Sequence, residues 1–175
     1  PGTTGVATYG DWVVVGAPFE NTCDVGVNPK GGLGEEDGEV CPYSGAVYVF
    51  RKKNGLWSQT ARIKPPTAGP MQSFGASIAM TGGNDKMGPD VGARMVVGSP
   101  GINGDVLVYD YKVSTDNWEL TWSFAKIVGG NNDIGAHGAA VDINHKYIAV
   151  GAPAEDTNKF GNVGAVYILS STNLN

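Results

Sequence analysis

The sequence predicts an all-β fold built from repeated antiparallel sheets, and three observations carry that prediction. One block recurs three times: Val14-Val15-Gly16-Ala17-Pro18 with Gly45-Ala46-Val47-Tyr48-Val49, Val96-Val97-Gly98-Ser99-Pro100 with Gly104-Asp105-Val106-Leu107-Val108, and Ala149-Val150-Gly151-Ala152-Pro153 with Gly164-Ala165-Val166-Tyr167-Ile168. The glycines that open the second halves stand at 45, 104 and 164, steps of 59 and 60 residues. A period of that size in short β-rich segments marks stacked units. Glycine is abundant, 27 of 175 residues, and only 17% of residues are charged, which suits strands joined by tight turns. No window sustains apolar spacing at i, i+3, i+4 and i+7, so essentially no helix is predicted.

The first unit, residues 1–66, reads as strands over Gly5–Thr8, Trp12–Gly16, Ala46–Arg51 and Trp57–Ile63. Pro18 stops the second strand, because proline cannot continue a ladder. Asn54-Gly55 between the last two is a strong hairpin signal. An insertion, 19–44, interrupts the unit. It is rich in Gly, Asp and Glu, has no apolar period, and carries the chain's two cysteines, Cys23 and Cys41. A long surface loop is costly to order, and a Cys23–Cys41 bridge would remove about 3 kcal/mol of unfolded-state freedom. The pair predicts a disulfide, against the alternative of two free thiols, and with it an extracellular setting.

The second unit, 67–127, is complete: Ser73–Met80, Arg94–Gly98 stopped by Pro100, Asp105–Tyr111, and about Trp118 to Ile127. Strict alternation predicts Trp118, Leu120, Trp122 and Phe124 on one face of that last strand. The third unit, 128–175, repeats the order with His137–Ile143, Tyr147–Gly151 stopped by Pro153, and Val163–Leu169, and no outermost strand is predicted in it. The opening at Pro1-Gly2-Thr3-Thr4 reads as a mature product, a fragment, or part of something longer.

Four-stranded meanders at this period predict β-propeller blades, with the Gly/Ala-rich first strand innermost. The chain holds about two and a half to three of them. Too few to close a ring, they would leave two apolar faces open. Further blades, from the same or a neighbouring chain, are therefore expected to cover them. A net charge of −5 and a pI near 4.9 argue against nucleic acid and anionic membranes as partners. No apolar run is long enough for a membrane-spanning helix.

Phe74-Gly75 followed by Val97-Gly98-Ser99-Pro100, with Gly-Ala-Pro at 16–18 and 151–153, resembles the FG-GAP repeat of integrin α-type propellers. The resemblance covers nearly the whole chain. It implies a seven-bladed ring, an extracellular or cell-surface location, and adhesion, protein–protein interaction or structural assembly without catalysis. A glycan-binding propeller, or an accessory propeller of a larger secreted enzyme, is the alternative. Gly16, Pro18, Phe74, Gly75, Gly98, Pro100, Gly138, Gly151 and Pro153 are then structural repeat positions. Two departures stand out: His137-Gly138 replaces Phe-Gly, and the calcium loop of integrin-type units has no counterpart in Tyr9-Gly10-Asp11 or Asn144-His145-Lys146.

Only the second unit has a longer loop there, Thr81 to Asp90. Asn84, Asp85 and Asp90 are its calcium candidates, but Lys86 sits among them and the alternating carboxylates that calcium needs are missing, so an ordinary polar turn is expected. The acidic cluster Glu35-Glu36-Asp37-Gly38-Glu39 reads as a solvated rim, and Glu20 and Glu155, each two residues after its Gly-Ala-Pro, as a shared turn element. No catalytic residues are assigned. No nucleophile elbow, phosphate loop or acid/base carboxylate pair is present, and Gly129-Gly130-Asn131-Asn132-Asp133 has turn chemistry only. His137 is expected in the core and His145 in a turn. Trp12, Trp57, Trp118 and Trp122 are expected to pack between blades rather than to stack on sugar.

Overall fold

The computed structural model describes residues 5–28, 40–84, 86–102, 104–125, 136–156, 161–172 and 174. Among them are eleven strands and no helix. Sheet 1 is β1 (Val6–Tyr9), β2 (Trp12–Ala17), β3 (Ala46–Lys53) and β4 (Leu56–Ile63). Sheet 2 is β5 (Ser77–Gly82), β6 (Val91–Ser99), β7 (Asp105–Lys112) and β8 (Asn117–Ala125). Sheet 3 is β9 (Ala140–Ile143), β10 (Tyr147–Ala152) and β11 (Ala165–Ser170). Every sheet is an antiparallel meander in chain order.

The registers make the repeat quantitative. Gly16 faces Val47, Gly98 faces Val106, and Gly151 faces Val166 in the ladder between second and third strands. Sheets 1 and 2 also share an irregularity: the third-to-fourth strand register shifts between Val49 and Phe50 in one and between Val108 and Tyr109 in the other. The extra residues are Thr60 and Thr121.

That bulge corrects the alternation expected for β8. A bulge puts two residues opposite one and re-aims everything beyond it. Trp118, before Thr121, is buried in the cluster between sheets 1 and 2, whereas Trp122 and Phe124, beyond it, join the cluster between sheets 2 and 3. Leu120 is exposed. The four side chains thus do not share a face.

Two apolar clusters hold the sheets together, and sheet 2 divides its side chains between them by the two-residue pleat. Met95, Val97, Leu107, Tyr109 and Tyr111 pack with Trp12, Val14, Val47, Val49 and Ile63 of sheet 1. Val96, Val106 and Val108 pack with Ile148 and Val150 of sheet 3. The first strands adjoin one another, β1 against β5 and β5 against β9. Small residues permit this approach. The Gly16 N–H donates to Gly5 O at 2.8 Å, and the Gly5 N–H reaches across to Gly75 O at 3.2 Å. A Cβ at Gly16 would overlap the Gly75 carbonyl, and one at Gly98 would overlap the Gly138 carbonyl.

Polar contacts reinforce each junction. Phe74 and His137 occupy matching places: the Phe74 N–H donates to Ser44 O at 3.1 Å, and His137 lies against Gly104. His137 is buried, edge-on to Phe124 and Tyr167 with ring centroids 4.7 and 5.3 Å away. Within sheet 2, Arg94 and Asp110 form a buried two-point pair, Nε to Oδ1 at 2.6 Å and Nη2 to Oδ2 at 2.8 Å, while Nη1 crosses towards sheet 3 and donates to Ser171 O. Between sheets 1 and 2, the Arg51 guanidinium lies 4.5 Å from the centroid of Trp12 and 5.0 Å from that of Tyr111. Trp12, Tyr111 and Trp118 pack on each other beneath it, so their faces are not offered to a sugar ring. Trp57 is half-exposed, a correction to its expected packing role, because its strand β4 turns that residue away from both clusters.

Candidate functional site

The third sheet presents a surface that the first two keep covered. Val47 and Val106 are 0% exposed, but their counterpart Val166 is 73% exposed. One pleat further along, Val49 and Val108 are 0% exposed and Ile168 is 63% exposed. Tyr147, which takes the place of Trp12 and Arg94, is exposed as well. Gly151 completes the contrast: nothing lies nearer its virtual Cβ than the Ala140 methyl at 3.5 Å, where its counterparts carry a neighbouring backbone. The result is a shallow apolar groove of about 760 Å³, lined by Ala140, Gly151, Pro153, Val163 and Val166 among others. Leaving a valine or isoleucine in water forgoes about 1.5–3 kcal/mol per side chain.

At one end of each flanking sheet stands a carboxylate. The Glu20 N–H donates to Ala17 O at 3.1 Å, and the Gly45 N–H donates to Glu20 O at 2.9 Å; in sheet 3 the Glu155 N–H donates to Ala152 O at 3.2 Å, and the Gly164 N–H to Glu155 O at 3.1 Å. The turn role expected from their aligned positions is therefore seen in both. Their side chains differ in company. Glu20 is met by Lys64 and by Arg62, the latter at 3.1 Å, from the end of β4. Arg62 also reaches Asp24 at 2.9 Å and Thr22 at 2.5 Å. Glu155 Oε1 accepts from the Tyr167 hydroxyl at 2.7 Å, while its Oε2 is buried and has no hydrogen-bond partner among the described residues. Burial together with the Glu155 carboxylate pushes the Tyr167 phenol up to about 12.

The Glu20 cluster contains a serine and a lysine at hydrogen-bond distance, Ser44 Oγ and Lys64 Nζ at 2.8 Å. It is nonetheless a structural clasp. Both residues are fully buried, and the Ser44 hydroxyl donates to Thr22 O at 2.9 Å. Burial pushes the Lys64 ammonium down, against the pull of Glu20. Burial also pushes the Glu20 carboxyl up, but hydrogen bonds from Lys64 and Thr22 outweigh it and hold the group below its ordinary value. The clasp pins the insertion to sheet 1, helped by the Cys23–Cys41 disulfide and by the Asn28 N–H donating to Arg62 O at 2.7 Å.

The two described calcium candidates, Asn84 and Asp90, are engaged in local bonds. Asn84 Oδ1 accepts from the Lys86 N–H at 2.9 Å, and both Asp90 oxygens accept from Ser114, N–H and hydroxyl each at 2.7 Å. These are turn bonds. Asp85, the acidic run 35–39 and the Gly129–Asp133 turn lie outside the described residues. Among the described residues no group of three or more His, Cys, Asp or Glu is placed to hold a metal, and no helix is long and apolar enough to cross a membrane. His145 lies in its turn near Thr81, 3.3 Å from Nδ1 to Oγ1.

Of the repeat positions, Gly16, Gly75, Gly98 and Gly138 meet at the two formed junctions, Phe74 is buried in the first of them, and Gly151 faces open groove. Pro18, Pro100 and Pro153 each follow the last residue of a second strand. Sequence reasoning missed the pairing of Glu20 with Lys64 and Arg62. The matching offset of Glu20 and Glu155 from their glycines was the available signal.

The chain matches no protein-family model and no curated protein.

Proposed function

We propose that these sheets are consecutive blades of an extracellular β-propeller of the FG-GAP type, a non-enzymatic segment that serves cell-surface adhesion, protein interaction or the building of a surface assembly. The supporting observation is the exposure of Val166 and Ile168 at positions where Val47, Val106, Val49 and Val108 are sealed. A face made to the same pattern as two covered ones is explained by a further blade seated on it. The adjacency of the first strands and the matching glycine-to-glycine approach at both junctions support an arrangement around a common axis. The disulfide within the first unit fits an oxidising compartment.

Two measurements test the reading. Negative-stain electron microscopy of the complete polypeptide from its natural source is expected to show a ring with a central channel; a two-layer sandwich or an open rod would overturn the architecture. Biotinylation of intact cells with an impermeant reagent is expected to label the protein, and protection until lysis would overturn the surface role.

A further inference from the structure

We infer that the free edge of β11 accepts an added antiparallel strand of the pattern basic–apolar–basic, whose cations close on the orphaned oxygen of Glu155. This rests on reading sheet 3 as a copy of the four-stranded unit, and it goes further by stating the chemistry of the strand that completes it.

The inference comes from comparing the same places in the three sheets. The residue four beyond the junction glycine is Glu20, Ile102 or Glu155. The residue following the Val47-type position is Tyr48, Leu107 or Tyr167. In sheet 1 the fourth strand sets Arg62 opposite Tyr48 and Ile63 opposite Val47, and Lys64 follows. Arg62 and Lys64 both reach the Glu20 carboxylate. In sheet 2 the corresponding residues are Ser123 opposite Leu107, Phe124 opposite Val106, and then Ala125. Where the turn carries an acid, the fourth strand carries two bases; where it carries isoleucine, the fourth strand carries none. Sheet 3 has the acid and the tyrosine of sheet 1.

Its Glu155 is in the state this comparison leads one to expect. The residue is 5% exposed, Oε1 is held by Tyr167, and Oε2 has no partner among the described residues. An unpaired buried carboxylate oxygen is costly, and a charge-assisted hydrogen bond there is among the stronger ones a protein makes. Among the described residues β11 pairs with β10 alone, so its outer edge presents the N–H and C=O groups that β-strand addition uses. By the register of sheet 1, the incoming residue opposite Tyr167 and the one two residues further on both project to the face where Glu155 lies, since side chains alternate along a strand.

The test adds the strand in trans. The peptide with the sequence of residues 56–64, Leu-Trp-Ser-Gln-Thr-Ala-Arg-Ile-Lys, is titrated against the 175-residue protein. Its partner peptide carries Ser in place of Arg and Ala in place of Lys, as in sheet 2. Isotope-labelled protein reports addition through the β11 amides, Val166 and Ile168 included. The basic peptide is expected to bind about tenfold more tightly or better, the worth of a charge-assisted bond. The preference is expected to vanish in Glu155→Gln, which keeps an acceptor for Tyr167. Because the discriminating changes lie in the peptide, the folding of a variant does not decide the outcome. Equal binding of the two peptides overturns the pairing with Glu155 while leaving strand addition standing. Failure of both to perturb β11 overturns the acceptor edge itself, and ring formation in the complete polypeptide is then judged separately by microscopy.

Discussion

Gly16 and Gly75 touch backbone to backbone across the boundary of sheets 1 and 2, and no side chain fits between them. A Cβ at Gly16 would overlap the Gly75 carbonyl oxygen, and Gly98 stands in the same relation to Gly138. Gly16→Ala and Gly98→Ala are each expected to cost about 3 kcal/mol or more, since backbone cannot yield as a side chain does. Gly151→Ala meets only the Ala140 methyl at 3.5 Å and is expected to leave stability unchanged or raise it by about 0.5 kcal/mol through the unfolded state. Urea denaturation of the three variants checks this, and equal losses would refute it.

The buried Arg94–Asp110 pair lies within sheet 2 and holds the Arg94 guanidinium where Nη1 reaches Ser171 O beside sheet 3. Asp110→Asn strands the guanidinium without its countercharge, and about 3–5 kcal/mol should be lost. The double change Arg94→Met with Asp110→Leu should recover most of that, because the desolvation cost of both charges disappears with them. Denaturation midpoints of the single and double variants supply the comparison.

Reduction of Cys23–Cys41, which spans 18 residues of sequence, should lower stability by about 3 kcal/mol. The loss is expected in the melting temperature with and without reductant. A Cys23→Ser, Cys41→Ser protein should melt with the reduced form and not respond to reductant.

Acid should weaken sheet 1 through Glu20. Its folded-state carboxyl titrates below the unfolded value of 4.5, burial being outweighed by bonds from Lys64 and Thr22. The stability it contributes is therefore complete above that value and drains away as pH falls from 4.5 through the lower folded value. Lys64→Met removes one of the groups that lower it, so the dependence of stability on pH below 4.5 should become shallower. Denaturation series between pH 3 and pH 6, on the order of the carboxylate range, measure both slopes.

Much of this was readable in the chain before any coordinates. The three Gly-Ala/Ser-Pro stops bound the second strands, because proline lacks the N–H that a ladder needs. Cys23 and Cys41 were legible as a bridge because a long loop without an apolar period is costly to order unless it is stapled. The face assignment of Trp118, Trp122 and Phe124 was not legible: one extra residue at Thr121, placed by cross-strand geometry, moves the last two to the opposite side. Nor was the exposure of Trp57, since an aromatic on a fourth strand packs only where a neighbouring sheet extends that far.

By itself the sequence determined the repeat, the strand order and where the second strands stop, since these follow from short-range rules: the pleat, the missing donor of proline, the turn preference of glycine. Only the tertiary structure decided which carboxylates are satisfied. Glu20 meets Lys64 across 44 residues and Glu155 Oε2 has no partner among the described residues, although both glutamates sit in the same local turn. Pairing of buried charge depends on what the fold carries to the spot, and no local pattern encodes that.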